Sequence, residues 1–88
     1  MSKVYHVNDD HFRYRDGVFP DDYDLVATVE SEDLERVFYL TNHVESSWTD
    51  NSGVEAHSPP HRSTSMGDVV VTEEGTFRCE MIGWKKIA

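Results

Sequence analysis

The feature that most constrains the fold is an alternating apolar pattern near the C-terminus, VVVTEEGTFRCEM. Its first part, Val69–Thr72, is β-branched throughout and suits a buried strand. In its last part Phe77, Cys79 and Met81 alternate with polar residues, which predicts a strand with these three side chains pointing inward. Glu73-Glu74-Gly75 lies between the two parts, and a glycine at its third position is typical of three-residue hairpin turns. The pattern therefore predicts a β-hairpin.

A strand followed by a helix is predicted upstream of the hairpin. The stretch YDLVATVE alternates and is rich in residues that favour strands. One of its faces would carry Tyr23, Leu25, Ala27 and Val29. In the next stretch, apolar side chains recur at helical spacing, at Leu34, Val37, Phe38 and Thr41. Ser31 is placed to cap the first turn of this helix, and Asn42 or His43 to end it.

The remaining segments carry weaker patterns. SKVYHV at the N-terminus predicts a short edge strand. HFRYRDGVFPDDYD contains Asp16-Gly17 and predicts a loop or an irregular hairpin. Residues 45–62 lack an apolar period and contain Pro59-Pro60, so they predict a long loop with a short extended piece around Gly53–Ala56.

These elements predict one small α+β domain spanning residues 1–88. A chain of 88 residues buries about 60 to 65% of the surface that its unfolded form exposes, which is enough for one small core. We expect a small antiparallel sheet, built from the N-terminal strands and the C-terminal hairpin and packed on one helix. Gly83 would mark a bulge or bend, after which Trp84 and Ile87 would close the core.

The chain is strongly acidic, and the excess is uneven. Seventeen Asp and Glu against eight Lys and Arg give a net charge of −9. Residues 1–35 hold ten acids and three bases and so carry −7 of that charge. Nucleic acids and anionic membranes attract Lys and Arg, so direct binding to either is not expected. A basic partner fits the charge, and so does a purely solubilising surface.

Cysteine content and hydropathy point to the cytoplasm. Cys79 is the only cysteine in the sequence, so no internal disulfide forms. No apolar run approaches the roughly 18 residues of a membrane span, and MSKVYHVNDD lacks the apolar core of a signal peptide. The sequence leaves the oligomeric state open, a homo-oligomer included.

The segment that leads into the hairpin groups Arg62, Ser63, Thr64 and Ser65. A guanidinium and backbone N–H groups beside hydroxyls can bind an anion. The spacing of a phosphate-binding loop is absent, because Gly67 is followed by Asp. Hydroxyls also satisfy backbone groups in ordinary turns. We interpret Arg62–Ser65 first as a structural turn, with contact to an anion or small ligand as the alternative.

Candidate metal ligands and nucleophiles are few. The possible ligands are His43, His57, His61, Cys79 and Asp50. No cysteine pair accompanies the histidines, so a zinc site is not predicted. Cys79 paired with His43 would be a poor nucleophile, because a thiol buried in a strand has a raised pKa. We predict no metal, no cofactor and no catalytic residue.

Contact with a partner is predicted for Trp48, Asp50, Asp21, Asp22 and Asp24. Trp48 lies in a polar segment, where its ring must either cover the core or face a partner, and Trp is enriched among residues that dominate interface energies. The three aspartates before and within the YDLVATVE strand form a dense acidic cluster that does not match a calcium loop. They suit a solvated surface or contact with a partner.

Three motifs resemble known sequences. DLERVFYLTNHVESSW, RSTSMGDVVV and a closing GW resemble short uncharacterised proteins of actinobacteria and their phages, in which an LTNH helix end, an RSTSVGDV segment and a Gly-aromatic pair recur. The second motif is also similar to the HSLSVSDVI stretch of YodL-type domains, which are common on mobile elements. The resemblance covers about residues 33–84. It implies a phage or mobile-element accessory protein in the host cytoplasm, and no particular activity.

Three functions follow as hypotheses. The favoured one is a non-enzymatic accessory protein that binds a host protein, because no catalytic spacing is present. The second is an acidic mimic of nucleic acid that inhibits a host protein handling DNA or RNA. The third is a small-ligand-binding or hydrolytic domain that uses Arg62–Ser65 with His43 or His61.

Overall fold

The computed structural model describes residues 1–7, 19–42 and 47–88. In these residues six strands form one antiparallel sheet, and one α-helix packs on one of its faces. The strands are β1 (Ser2–Val7), β2 (Tyr23–Val29), β3 (Val54–Ala56), β4 (Val69–Thr72), β5 (Gly75–Cys79) and β6 (Trp84–Lys86), and the helix is α1 (Leu34–Thr41). The predicted α+β class is confirmed, with N-terminal strands and a C-terminal hairpin in the same sheet.

The first strand lies in the middle of the sheet. The strand order is β3-β2-β1-β4-β5-β6, so β1 pairs with β2 on one side and β4 on the other. The prediction of an edge strand for SKVYHV is therefore wrong. Its polar residues suggested exposure, but Ser2 and His6 are both buried. Ser2 Oγ donates to the carbonyl of Ser31, and the His6 ring is hydrogen-bonded to Thr64, which removes the cost of burying them.

The second strand contains a bulge that changes which side chains face the core. Val4 pairs with Ala27 and Tyr5 pairs with Leu25, so Val26 is an extra residue without an opposite partner. A bulge breaks the two-residue alternation of a strand. As a result Val26 is buried and Leu25 is 38% exposed. The prediction that Leu25 lies on the same face as Ala27 and Val29 is wrong for this reason. Tyr23 likewise belongs to a different apolar cluster from Ala27 and Val29.

The core consists of two apolar clusters, one on each face of the sheet. The cluster under the helix comprises Val4, Val26, Ala27, Val29, Val37, Trp48 and Val70. The cluster on the opposite face comprises Val7, Tyr23 and Val69, with Tyr5, Phe19, Val71 and Ile87 packed against it. Because β1 and β4 lie in the middle of the sheet, they contribute valines to both clusters.

The helix confirms the predicted apolar stripe but begins with a different cap. Val37 and Thr41 are buried, and Leu34 packs against the helix-side cluster. Asp33 is the N-cap, since its carboxylate accepts hydrogen bonds from the N–H groups of Glu35 and Arg36. Ser31 instead accepts a hydrogen bond from the N–H of Asp33, so the prediction that Ser31 caps the helix is wrong. Asn42 ends the helix as predicted.

The C-terminal hairpin is confirmed, with a shorter turn and a shorter second strand than predicted. Thr72 pairs with Gly75, so only Glu73 and Glu74 form the turn. Strand β5 ends at Cys79, and a second turn follows in which the N–H of Glu80 donates to the carbonyl of Gly83. Met81 lies in that turn and is 82% exposed, so its predicted inward position is wrong.

The last residues behave largely as predicted. Gly83 has a φ of +74° in the bend before β6. Trp84 then packs against the helix-side cluster and Ile87 against the opposite one. Both residues therefore help to close the core.

Within the predicted loop 45–62, the described part (residues 47–62) is more structured than a plain loop. It contains a short 3-10 helix, Trp48–Asp50, and strand β3, which confirms the short extended piece expected near Gly53–Ala56. The expectations for Asp16-Gly17 and His43 lie outside the described residues. No helix in the described part of the chain has the length and apolar character needed to cross a membrane.

The hairpin turn depends on a glycine, and substitution tests this dependence. Gly75 has a φ of +146°, and a Cβ there would lie 2.7 Å from the Ala88 carbonyl oxygen and 2.6 Å from Lys86 Cε. Gly53 has a φ of +85° with nothing within 4 Å of its Cβ position. We expect Gly53→Ala to lower the free energy of unfolding by about 1–2 kcal/mol through backbone strain alone. Gly75→Ala should cost about 1–3 kcal/mol more because of overlap.

Urea denaturation of both variants measures the difference. Equal losses in Gly75→Ala and Gly53→Ala would contradict the close approach of the C-terminal strand to the turn.

Candidate functional site

Among the described residues, the most enclosed charged side chain is that of Asp68, whose carboxylate is fully buried. Arg62 holds it with two hydrogen bonds, from Nη1 to Oδ2 at 2.7 Å and from Nη2 to Oδ1 at 2.8 Å. The N–H of Val7 donates to Oδ1 at 3.0 Å, and the N–H of Ser65 donates to Oδ2 at 2.8 Å. A carboxylate offers about four acceptor positions, so these donors use all of them.

This carboxylate lies where the chain crosses the sheet. Strand β3 is at one edge and β4 lies beyond β1, so the crossover segment (residues 57–68) must pass the intervening strands. Arg62 Nη2 also donates to the carbonyl of Val7 at 3.3 Å. The Arg62–Asp68 pair therefore ties the crossover segment to the end of the central strand.

A second group of polar side chains extends from the same segment under the helix. Thr64 Oγ1 lies 2.9 Å from His6 Nε2. The Trp48 indole N–H donates to the carbonyl of Arg62 at 2.8 Å, and the His61 ring stacks on the Trp48 ring with an interplanar angle of 22°. His6, Trp48 and Thr64 are buried and His61 is half-buried. Each of the buried side chains has a hydrogen-bond partner, which is the usual condition for polar groups in a stable interior.

His6, Thr64 and Asp68 have the residue types of a catalytic triad but not its geometry. In a triad one ring nitrogen faces the nucleophile and the other faces the carboxylate. Here the same nitrogen, His6 Nε2, lies 2.9 Å from Thr64 Oγ1 and 3.8 Å from Asp68 Oδ2. All three side chains are also buried. The arrangement joins strand β1 to the crossover segment and does not orient a hydroxyl for attack.

The Arg62–Ser65 segment is an anion-binding group whose anion is internal. The guanidinium and the Ser65 N–H, which were predicted as donors to a ligand, both bind Asp68. Ser65 is also the first residue of a turn, in which the Asp68 N–H donates to the Ser65 carbonyl. Ser63 lies near the guanidinium, since its carbonyl accepts a hydrogen bond from Arg62 Nη1 at 3.1 Å. The segment leads into β4 as a structural turn.

Trp48 covers the core. Its side chain is 1% exposed and belongs to the helix-side cluster. The hypothesis that its ring is a surface anchor for a partner is therefore wrong. Its ring contacts apolar neighbours, and its indole N–H is satisfied inside the fold by a backbone carbonyl. The polar residues that surround Trp48 in the sequence did not indicate this buried position.

The predicted carboxylates remain at the surface. Asp21, Asp24 and Asp50 are exposed and Asp22 is half-buried. Asp21, Asp22 and Asp24 cluster at the start of β2, whereas Asp50 ends the 3-10 helix. They can be reached by a partner.

Two of the histidines that were considered as possible metal ligands, His57 and His61, are used in the fold, whereas His43 lies outside the described residues. His57 Nε2 is hydrogen-bonded to Thr28, and His61 Nε2 to the carbonyl of His57. Within residues 1–7, 19–42 and 47–88, no three His, Cys, Asp or Glu side chains are grouped so as to hold a metal ion.

Sequence reasoning missed a surface feature at the turn that joins β5 to β6. Two large apolar side chains, Met81 and Ile82, form an apolar tip and are 82% and 90% exposed. Beside this tip is a groove of about 160 Å³, lined by Glu35, Phe38, Cys79, Glu80, Met81, Gly83 and Trp84. An apolar pair followed by glycine in a turn is the signal that indicates such a tip, because turn residues are usually polar.

The groove has an aromatic wall and a buried thiol. Phe38 on the helix and Trp84 on β6 meet edge to face, with ring centroids 6.3 Å apart. Burial raises the pKa of the Cys79 thiol to about 11, and the negative charges of Asp68 and Glu80 add to the shift. The raised pKa predicted for this thiol is confirmed, and the thiol is therefore an apolar surface at neutral pH.

The Asp68 centre can be tested by removing its charge. Asp68→Ala leaves the Arg62 guanidinium and two backbone N–H groups without their acceptor, so we expect a loss of about 3–5 kcal/mol in the free energy of unfolding. Asp24→Ala, at an exposed position on β2, should change it by less than about 0.5 kcal/mol. Chemical denaturation of both variants measures this. A loss near that of Asp24→Ala would show that Asp68 does not hold the crossover segment.

The raised pKa of the Cys79 thiol predicts how the stability of the fold depends on pH. The folded pKa of Cys79, about 11, lies above the unfolded value of about 8.5. The thiol's contribution to stability is therefore fully present below about pH 8.5 and is lost as the pH rises through the folded pKa. At pH 8 we expect alkylation by iodoacetamide roughly a hundredfold slower in the folded protein than after denaturation.

Cys79→Ala serves as the control for the pH dependence. It should remove the part of the stability decline above about pH 8.5 that belongs to the thiol. Equal alkylation rates in the folded and denatured chains would contradict the buried position of the thiol.

Comparison of the chain with models of known protein families, with curated proteins and with solved structures found no match. The resemblance to short actinobacterial and phage proteins and to YodL-type domains therefore stays a prediction from the LTNH and RSTSMGDV motifs.

Proposed function

We propose that the protein is a non-enzymatic accessory protein, of the kind carried by phages and mobile elements, that binds a host protein through the turn between β5 and β6. The observation that carries this proposal is the apolar tip, where Met81 and Ile82 are exposed side by side. The predicted resemblance supplies the phage or mobile-element context.

Exposure of the apolar tip is unfavourable for an isolated chain. Burying a Met or Ile side chain fully is worth about 1.5–3 kcal/mol, and neither residue gains this from the fold. Exposed apolar groups that adjoin a concavity mark sites of interaction with proteins. The groove lined by Phe38 and Trp84 is also lined by Met81 of the tip, so a partner would cover both together.

The burial of the polar side chains and the raised pKa of the Cys79 thiol support binding over catalysis. Asp68, Thr64 and His6 are buried and hydrogen-bonded to one another or to the backbone. The thiol of Cys79 has a raised pKa, which disfavours it as a nucleophile. The hydrolytic alternative built on Arg62–Ser65 gains no support from this geometry.

The acidic-mimic alternative keeps one supporting observation. Asp21 and Asp24 are exposed near the start of β2, and two strands separate β2 from β5 in the sheet. A partner that reads these carboxylates would use a surface different from the apolar tip. Its binding would weaken steeply with salt, since exposed charges are screened.

The two surfaces are separated by paired variants of the tagged protein in affinity capture from host lysate. Met81→Ser/Ile82→Ser should reduce recovery of the partner at least tenfold while changing the free energy of unfolding by less than about 0.5 kcal/mol. Asp21→Asn/Asp24→Asn should leave recovery unchanged, and the wild-type complex should persist at high salt.

The opposite pattern would replace the proposal. Recovery that depends on the two aspartates and is abolished by salt would favour the acidic mimic. Recovery that neither pair of substitutions alters would place the binding surface elsewhere.

A further inference from the structure

We infer that the groove beside the apolar tip receives one apolar side chain of a short partner segment whose flanking residues are Lys or Arg. This inference rests on the proposed function, because it names the chemistry of the partner at the same end of the molecule. It is carried by the size, the walls and the charge of the groove.

The groove accommodates a single side chain. Its volume is about 160 Å³, and a cavity of roughly 150 Å³ is large enough to take up benzene. One aromatic ring or one branched aliphatic group therefore fills it. Phe38 and Trp84 together form an aromatic wall, and the un-ionised thiol of Cys79 adds an apolar surface to the lining.

The ionisable groups around the groove are acidic. Glu35 lies on the helix side and Glu80 on the turn side, and none of the described residues that line the groove is Lys, Arg or His. Both carboxylates act on Cys79, since each contributes to the rise in its pKa. A cation placed at the mouth of the groove would therefore be attracted from two sides.

The two lysines of β6 do not neutralise this mouth. Lys85 pairs with Arg78, whereas Trp84 pairs with Cys79, so Lys85 points to the face opposite Trp84. Lys86 lies at the far end of the hairpin, where its Cε is 2.6 Å from the position of a Cβ on Gly75. The acidic mouth and the apolar interior together match an apolar residue flanked by basic ones.

A random 12-residue peptide display library, selected on the full immobilised chain, tests this chemistry. We expect enriched peptides to carry one Leu, Ile, Met, Phe or Trp next to at least two Lys or Arg. An enriched peptide is then synthesised and titrated by calorimetry, and amide shifts in ¹⁵N-labelled protein should change most at residues 79–84 and in α1.

Matched charge variants test the role of the mouth. Glu35→Gln/Glu80→Gln should weaken binding of the synthesised peptide roughly threefold to tenfold, as expected for the loss of two exposed ion pairs. Glu30→Gln/Glu55→Gln removes two exposed carboxylates at and near β3, the opposite edge of the sheet, and should leave the affinity unchanged.

Other outcomes overturn the inference. Enriched peptides that are acidic or lack an apolar residue, or amide shifts away from the groove, would refute the stated chemistry. So would a dimer in sedimentation equilibrium that Glu35→Gln/Glu80→Gln dissociates, because the occupant would then be a second copy of the chain.

Failure of this inference can be told apart from failure of the proposed function. No peptide enrichment, with lysate capture still dependent on Met81 and Ile82, would overturn the basic-apolar segment and leave the binding function standing. Loss of that dependence as well would overturn both.

Discussion

The hydrogen-bonded carboxylate of Asp68 is the interaction on which the rest of the structure depends. An unpaired carboxylate in a protein interior costs several kcal/mol, and this one is fully buried. Its donors come from the end of β1 (Val7) and from two positions of the crossover segment (Arg62 and Ser65). Asp68 is therefore stable only when these segments are in place, so one side chain fixes both the path of the crossover segment and its position on the central strand.

The same residue also holds the base of the proposed binding surface. The carbonyl of Asp68 accepts a hydrogen bond from the N–H of Cys79, and the N–H of Gly67 donates to the carbonyl of Cys79, both at 2.8 Å. The Tyr23 hydroxyl in turn donates to the carbonyl of Gly67. The last residue of β5 is thus tied to the centre of the sheet, and the apolar tip begins two residues later. A firmly held base lowers the entropy cost of presenting the tip to a partner.

Local patterns predicted the elements, whereas contacts between distant segments decided the site. The hairpin, the helix stripe and the α+β class follow from periodicity, which depends on neighbouring residues only. The central place of β1 and the bulge at Val26 depend on pairing partners elsewhere in the chain, so no local pattern reveals them. Arg62 was identified as a possible donor to an anion, but its partner Asp68 was missed. An internal carboxylate and an external anion bind a guanidinium in the same way, so the sequence does not distinguish them. For Trp48 the sequence left core cover and contact with a partner both open, because only the fold shows that its ring lies over the core.

Charge and apolar area have separate roles at the groove. The apolar interior sets how long a bound side chain stays, while rim carboxylates mainly affect orientation and the rate of encounter. A net charge of −9 adds a long-range attraction for a basic segment and a repulsion between two copies of the chain. This repulsion opposes self-association of chains through the exposed apolar tip. In the proposed function, a partner of opposite charge covers this surface, so the acidic bias of the chain and its exposed apolar tip would serve the same proposed binding.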